Sequence, residues 1–361
     1  MSSQSHYEER MEADLAEIRA KIRKVSALVE AQMHDAVQAL LTGDVELANK
    51  VVLGDRQVNR RIRDIDRLVH AFIVRHAPSA GHLRFASAVL RLDVSLERIG
   101  DYAGTIGREV AQFSGQPPAS VRRDFELLGQ QARQALTQAL NGFHSEDPDA
   151  ATKTYGFEGQ LDHTLRAVLG ELLDVGERRD HPLRDIFALL RVAVLIRRVA
   201  GQAANIAEQT GFWLTGQTRD SRIFRVLFVG HKNDRASQIA EAYARKAYPE
   251  SGSYSSAGVH PADHLDPALI AFMDAKGLDV RNSAATELKS VDDQSLHFHV
   301  IVCLEPGVRQ HIGDVPFRTV VLDWKLDLPD GVGADAMEEV YREVAVRVQG
   351  LMTTLAGPDA R

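Results

Sequence analysis

Residues 226–242 read VLFVGHKNDRASQIAEA. A run of apolar, strand-forming residues ends at Gly230, a short polar stretch follows, and Ala236 opens a segment whose apolar residues recur at helical spacing. A strand, a tight loop and a helix start in that order place backbone N–H groups and the positive end of a helix dipole where an oxyanion can sit. In open α/β sheets ligands bind at the carboxyl ends of the strands, which is where this loop lies. Residues 297–304 (HFHVIVCL) and 317–324 (FRTVVLDW) read as further strands, and 236–248, 267–277 and 336–352 as helices between and after them. That alternation predicts a small α/β domain over 222–354, built on a parallel sheet.

Upstream the pattern is entirely different. From Tyr7 to Leu214 apolar residues recur every three to four positions, as in Leu15, Ile18, Ile22, Val25, Val29, Met33, Val37 and Leu40. This is one stripe of a long amphipathic helix. Breaks at 41–44, 76–81, 114–120, 144–149 and 178–182 leave six helices of roughly 25 to 35 residues, which pack as antiparallel bundles. TGDVELANKVV (42–52) returns weakly as SEDPDAATKTY (145–155), and SLERIGDYAGTIG (95–107) as LIRRVAGQAANIA (195–207). Residues 1–217 therefore read as an all-α domain of two three-helix repeats, 7–113 and 119–214.

The 361 residues carry 43 Lys and Arg against 50 Asp and Glu, a net charge of -7, which gives no electrostatic reason for a nucleic-acid partner. No apolar run approaches the roughly 20 residues of a membrane span, and the acidic start is unlike a signal peptide. The single Cys excludes an internal disulfide framework and fits a reducing compartment, so a cytoplasmic location is expected.

Residues 14–66, with 83–107 after them, resemble the PhoU family of phosphate-signalling regulators, Leu96-Glu97-Arg98-Ile99-Gly100-Asp101 being the most specific segment. The resemblance implies a helical, non-enzymatic regulator that acts through protein contacts with a phosphate transporter and its sensor kinase, and that binds metal through acidic clusters. It implies no required cofactor, with a divalent or iron ion as a candidate ligand of the helical domain. Glu97 and Asp101 stand four apart, on one helix face within reach of one hard cation. Asp55, Asn59 and Asp66 share a face of the preceding helix whereas Asp64 points away, so Asp66 is the candidate third ligand. A solvated, salt-bridged surface is the competing account of the same residues. Repeat two has Arg197 and Gly201 where Glu and Asp are expected, and Arg197 with Arg198 would make that face cationic.

The stretch 226–242, together with 254–280 and 322–330, resembles the low-molecular-weight tyrosine phosphatases and the related thioredoxin-coupled arsenate reductases. Those enzymes attack with a thiolate, clamp the equatorial oxygens with an Arg six residues on, and protonate the leaving group with an Asp. Here the corresponding positions are Gly230, Ala236 and Asp330, the last followed by Gly331 in place of the usual Pro. The resemblance therefore implies a domain whose transfer chemistry is gone, with Asp330 a vestigial acid. Backbone anion binding does not depend on the missing side chains, and Gly230 removes an anionic sulfur that would repel an oxyanion. Gly230, His231, Lys232, Asn233, Arg235 and Ser237 are the candidate anion-binding residues, with phosphate or arsenate as the ligand.

Cys303 and Arg309 fit the bare spacing of a second such loop, but Glu305 places an anion inside it and Pro306 removes a donor, so Cys303 reads as a buried or strand-end thiol. His297 and His299 alternate along a strand and read as a polar sheet edge rather than metal ligands. The leading expectation is a regulator with a degenerate phosphatase-like domain. The alternatives are an enzyme that uses Cys303, and a scaffold serving protein contacts alone, for instance as a homodimer through its helical half.

Overall fold

The computed structural model describes residues 2–113, 115–179, 181–217, 223–278, 280, 283–288, 298–313, 315, 319–326, 333–358 and 360–361. The chain divides into two units, Met1–Arg219 and Asp220–Arg361.

The first unit is helical: α1 (Ser2–Thr42), α2 (Val45–His76), α3 (Ala80–Ala111), α4 (Ala119–Ser145), α5 (Pro148–Lys153), α6 (Gly156–Arg178) and α7 (Leu183–Thr215). The stripe from Leu15 to Leu40 is buried throughout. It forms one core with the apolar faces of α2, α3, α4, α6 and α7, so the two repeats share an interior. Helix starts and stops follow local chemistry. Asp44 caps α2 by accepting from the Leu47 N–H at 2.9 Å, and Ala77 closes it in a left-handed conformation.

The expected six helices are seven among the described residues, because the second helix of repeat two is broken into α5 and α6. Asp147 accepts from the Asp149 and Ala150 N–H groups and Pro148 occupies the first turn, which starts a helix at the place read as a loop. A Cβ on Gly142 would meet the Ala151 N at 2.8 Å, so α4 and α5 pack backbone to backbone.

In the second unit β1 (Phe224–Gly230), β2 (Gly252–Gly258), β3 (Val300–Cys303) and β4 (Val320–Asp323) form one sheet in the order β2-β1-β3-β4, every pairing parallel. Along β1, Val226 and Phe228 enter one core and Leu227 and Val229 the other, as expected of a strand covered on both faces. Among the described residues the α-helices of this unit include α8 (Ala236–Ala247), α9 (Pro267–Ala275) and α10 (Ala334–Ala356). The chain leaves β1 toward β2 on one side and returns to β3 on the other, so the carboxyl ends of β1 and β3 flank the point where the winding reverses.

Candidate functional site

The loop 231–235 runs from β1 to α8 and is held from outside by its own carbonyls. The N–H groups of Val259, His260 and Ala262 donate to the carbonyl oxygens of Gly230, His231 and Lys232 at 3.1, 2.8 and 2.9 Å. In a trans peptide the carbonyl and the next N–H point in opposite directions. Fixing those three carbonyls therefore turns the amides of His231, Lys232 and Asn233 toward the other side of the loop. Gly258 is required for this approach, since a Cβ there would stand 2.9 Å from the Asn233 N and from the Lys232 carbonyl carbon. Asn233 adopts a left-handed conformation (φ 51°), which Asn tolerates better than most residues. Its buried side chain accepts from the Ser237 hydroxyl at 2.8 Å and leaves Nδ2 without a partner among the described residues.

The amides of Lys232, Asn233, Asp234, Ala236 and Ser237 likewise have no acceptor among the described residues. The exception is His231, whose N–H donates to Glu305 Oε1 at 3.2 Å. That oxygen lies 2.6 Å from the position of a Cβ on residue 230, so it occupies the space that a side chain at this position would fill. The structure thus corrects one expectation: Gly230 does not free the loop of negative charge, because Glu305, from the segment after β3, brings a carboxylate to the same place. The His231 ring is 2.9 Å from the Pro306 carbonyl and ties that segment to the loop. Lys232 is exposed, Arg235 is half-buried at the start of α8, and Ala236 is buried. Asp330 and His297 lie outside the described residues.

Cys303 is fully buried, and burial together with nearby Asp323 pushes its thiol up to about 11, offset only in part by Arg309. It is a protonated thiol at neutral pH, unlike an activated nucleophile. His299 Nδ1 accepts from the Arg225 backbone N–H at 3.0 Å, while the backbone N–H of His299 donates to the Arg225 carbonyl and its carbonyl accepts from the Val320 N–H. The expected sheet edge is corrected accordingly, because β3 lies between β1 and β4 in the interior of the sheet.

In the helical unit Glu97 and Asp101 are exposed and Asp66 is half-buried. The structure sets Asp66 and Glu97 beside Asp93, and Asp55 and Glu97 beside Asp101. No three acidic, His or Cys groups converge closely enough to hold a metal among the described residues, so the arrangement does not fit the expected ion. Burial, then Asp55 and Glu97, raises the Asp101 carboxyl above its usual range. The residue that sequence reading missed is Asp93, one turn before Glu97. It is 1% exposed, neither of its oxygens has a partner among the described residues, and burial with Asp66 and Glu97 nearby raises it to about 8. Gln32, Asp55 and Asn59 also carry buried side-chain atoms without partners there.

Repeat two has replaced this seam with an ion pair. Arg197 donates through Nε and an Nη to both oxygens of Asp162, at 2.5 and 3.0 Å. The expected cationic face is corrected accordingly: Arg197 is neutralised by Asp162, and only Arg198 is exposed.

Comparison with known proteins places both units. The PhoU domain model matches residues 22–110 and 125–210. The phosphate-specific transport system accessory protein PhoU homolog of Caulobacter vibrioides is 30% identical over 210 residues, spanning 58% of this chain and 91% of that protein. The chain belongs to the PhoU family. The accessory protein PhoU of Escherichia coli K12 is 27% identical over 212 residues, covering 59% of this chain and 88% of its own length. The crystal structure of PhoU from Pseudomonas aeruginosa superposes with a TM-score of 0.55 at 27% identity, over 57% of this chain and 99% of that one. Beyond the PhoU unit, residues 225–358 match the low molecular weight phosphotyrosine protein phosphatase model. Among the described residues no helix is long and apolar enough to cross a membrane.

Proposed function

We propose that this chain is a non-catalytic regulator of phosphate transport, a PhoU helical unit joined to a pseudo-phosphatase unit that binds an oxyanion without turning it over. The observation that carries the reading is the loop itself. Its carbonyls are bonded outward, five of its amides have no acceptor among the described residues, and Gly230 and Ala236 stand where attack and clamping need a thiolate and a guanidinium. Preorganised amides at a helix start suffice to bind a tetrahedral anion. Neither Gly nor Ala supplies an atom for covalent transfer.

The names of the relatives point the ligand toward phosphate, with arsenate as its chemical analogue, and point the partners toward the proteins of a phosphate transport system. No cofactor is needed for this reading, and the helical unit is the surface that contacts protein partners in the cytoplasm. An assay with an activated aryl phosphate should show no hydrolysis above background for the full chain, and none that changes in Cys303→Ser. A rate that falls with loss of Cys303 would replace this reading with an enzymatic one. Thermal denaturation should shift upward by a few degrees at millimolar phosphate.

A further inference from the structure

We propose that Glu305 makes the loop selective for oxyanions that still carry a proton, so that phosphate and arsenate are bound in preference to sulfate. The inference rests on the oxyanion reading above and specifies its ligand. Glu305 Oε1 lies 3.2 Å from the His231 amide and 2.6 Å from the Cβ position of residue 230, and the Ser237 hydroxyl is 3.3 Å from that same position. The carboxylate is therefore at the head of the loop whose Lys232, Asn233, Asp234, Ala236 and Ser237 amides have no acceptor among the described residues. The segment that carries it is fixed by the His231 contact to the Pro306 carbonyl and by the left-handed turn at Gly307 (φ 86°).

A carboxylate only accepts hydrogen bonds, whereas amide N–H groups only donate. A tetrahedral anion seated on the amides presents one of its oxygens to Glu305. If that oxygen bears a hydrogen, as in the hydrogen phosphate dianion, it donates to the carboxylate in a short charge-assisted bond. If the oxygen is bare, as in sulfate, two sets of lone pairs face one another with no proton between them. The two ions share shape and charge near neutral pH and differ in that one hydrogen, so long-range attraction does not separate them. Discrimination comes from the unpaired carboxylate that the wrong ligand leaves behind.

The test is titration of the full chain with inorganic phosphate, arsenate and sulfate at matched ionic strength and pH 7.5, read by calorimetry, for the native chain, Glu305→Gln and Glu305→Ala. The native chain should bind phosphate and arsenate about tenfold or more tighter than sulfate. In Glu305→Gln the side chain offers an N–H as well as an oxygen, and sulfate should come within about threefold of phosphate. Native binding of sulfate as tight as that of phosphate overturns the selectivity and leaves the oxyanion reading standing, with no variant needed to see it. Strong native preference for phosphate that persists unchanged in both variants overturns the role of Glu305. Absence of binding by all three ions, in the native chain and in both variants, overturns the oxyanion reading and this inference with it.

Discussion

Replacing Asp93 with Asn is expected to stabilise the metal-free helical unit by about 2–4 kcal/mol at pH 8 and to have little effect near pH 4. Asp93 is buried between α2 and α3 and its carboxyl is raised from 3.8 to about 8, with burial the largest cause and Asp66 and Glu97 adding repulsion. The unfolded chain ionises this group from about pH 4 upward, while the folded chain keeps the proton to about pH 8. A carboxyl raised in the folded state contributes stability that is whole below its unfolded value and is lost as pH rises toward its folded one. Each pH unit of mismatch costs about 1.4 kcal/mol, and local relaxation reduces the total across the window. Asn cannot ionise and escapes the loss. Urea denaturation of both proteins at pH 4, 6 and 8 gives the comparison. A variant that is less stable than the native chain at pH 8 would mean that the ionised carboxylate is in use there, as it would be beside a bound cation.

Arg197→Ala is expected to cost about 3 kcal/mol, from loss of the paired guanidinium contacts to the largely buried Asp162 carboxylate. The pair is largely withdrawn from water, with side chains 16% and 20% exposed, and both guanidinium contacts fall on the two oxygens of one carboxylate. Adding Asp162→Asn to Arg197→Ala should recover a substantial part of the loss, because it removes the negative charge that the guanidinium had balanced. Arg197→Glu, which restores the acidic residue expected at this place in the repeat, should be worse than Ala, since it sets two carboxylates against each other. Denaturant unfolding of the four proteins decides it. An Arg197→Glu variant as stable as the native chain would show that repeat two retains the seam of repeat one and that the ion pair is incidental.

The bundle was legible because burial imposes a period. Leu15 to Leu40 and the cap at Asp44 follow from spacing and from which residues stop a helix, and the structure places them accordingly. The break between α5 and α6 was not, since Thr154 and Tyr155 carry no strong stop signal and the close approach of Gly142 to Ala151 is a tertiary fact. The parallel sheet was read from alternating strand and helix patterns, and its order from no local signal.

In the loop, the Asn233 support and the helix start were visible in VLFVGHKNDRASQIAEA, because loop and helix geometry are local. Glu305 was visible only as an acid misplaced in a second, false loop. Its arrival beside Gly230 depends on β3 pairing with β1, which brings together residues 75 apart in sequence. Asp93 was passed over for a related reason. Its neighbours Glu97 and Asp101 repeat every four residues, but only packing against α2 decides which of the three is buried.

Binding without turnover is tested most directly by following the backbone amides of the full chain by NMR during titration with inorganic phosphate, then with an aryl phosphate monoester. Saturable shifts centred on Lys232, Asn233, Asp234, Ala236 and Ser237, with the ester intact at the end, are the predicted result. Silent amides at millimolar phosphate, or release of phosphate from the ester, would contradict it.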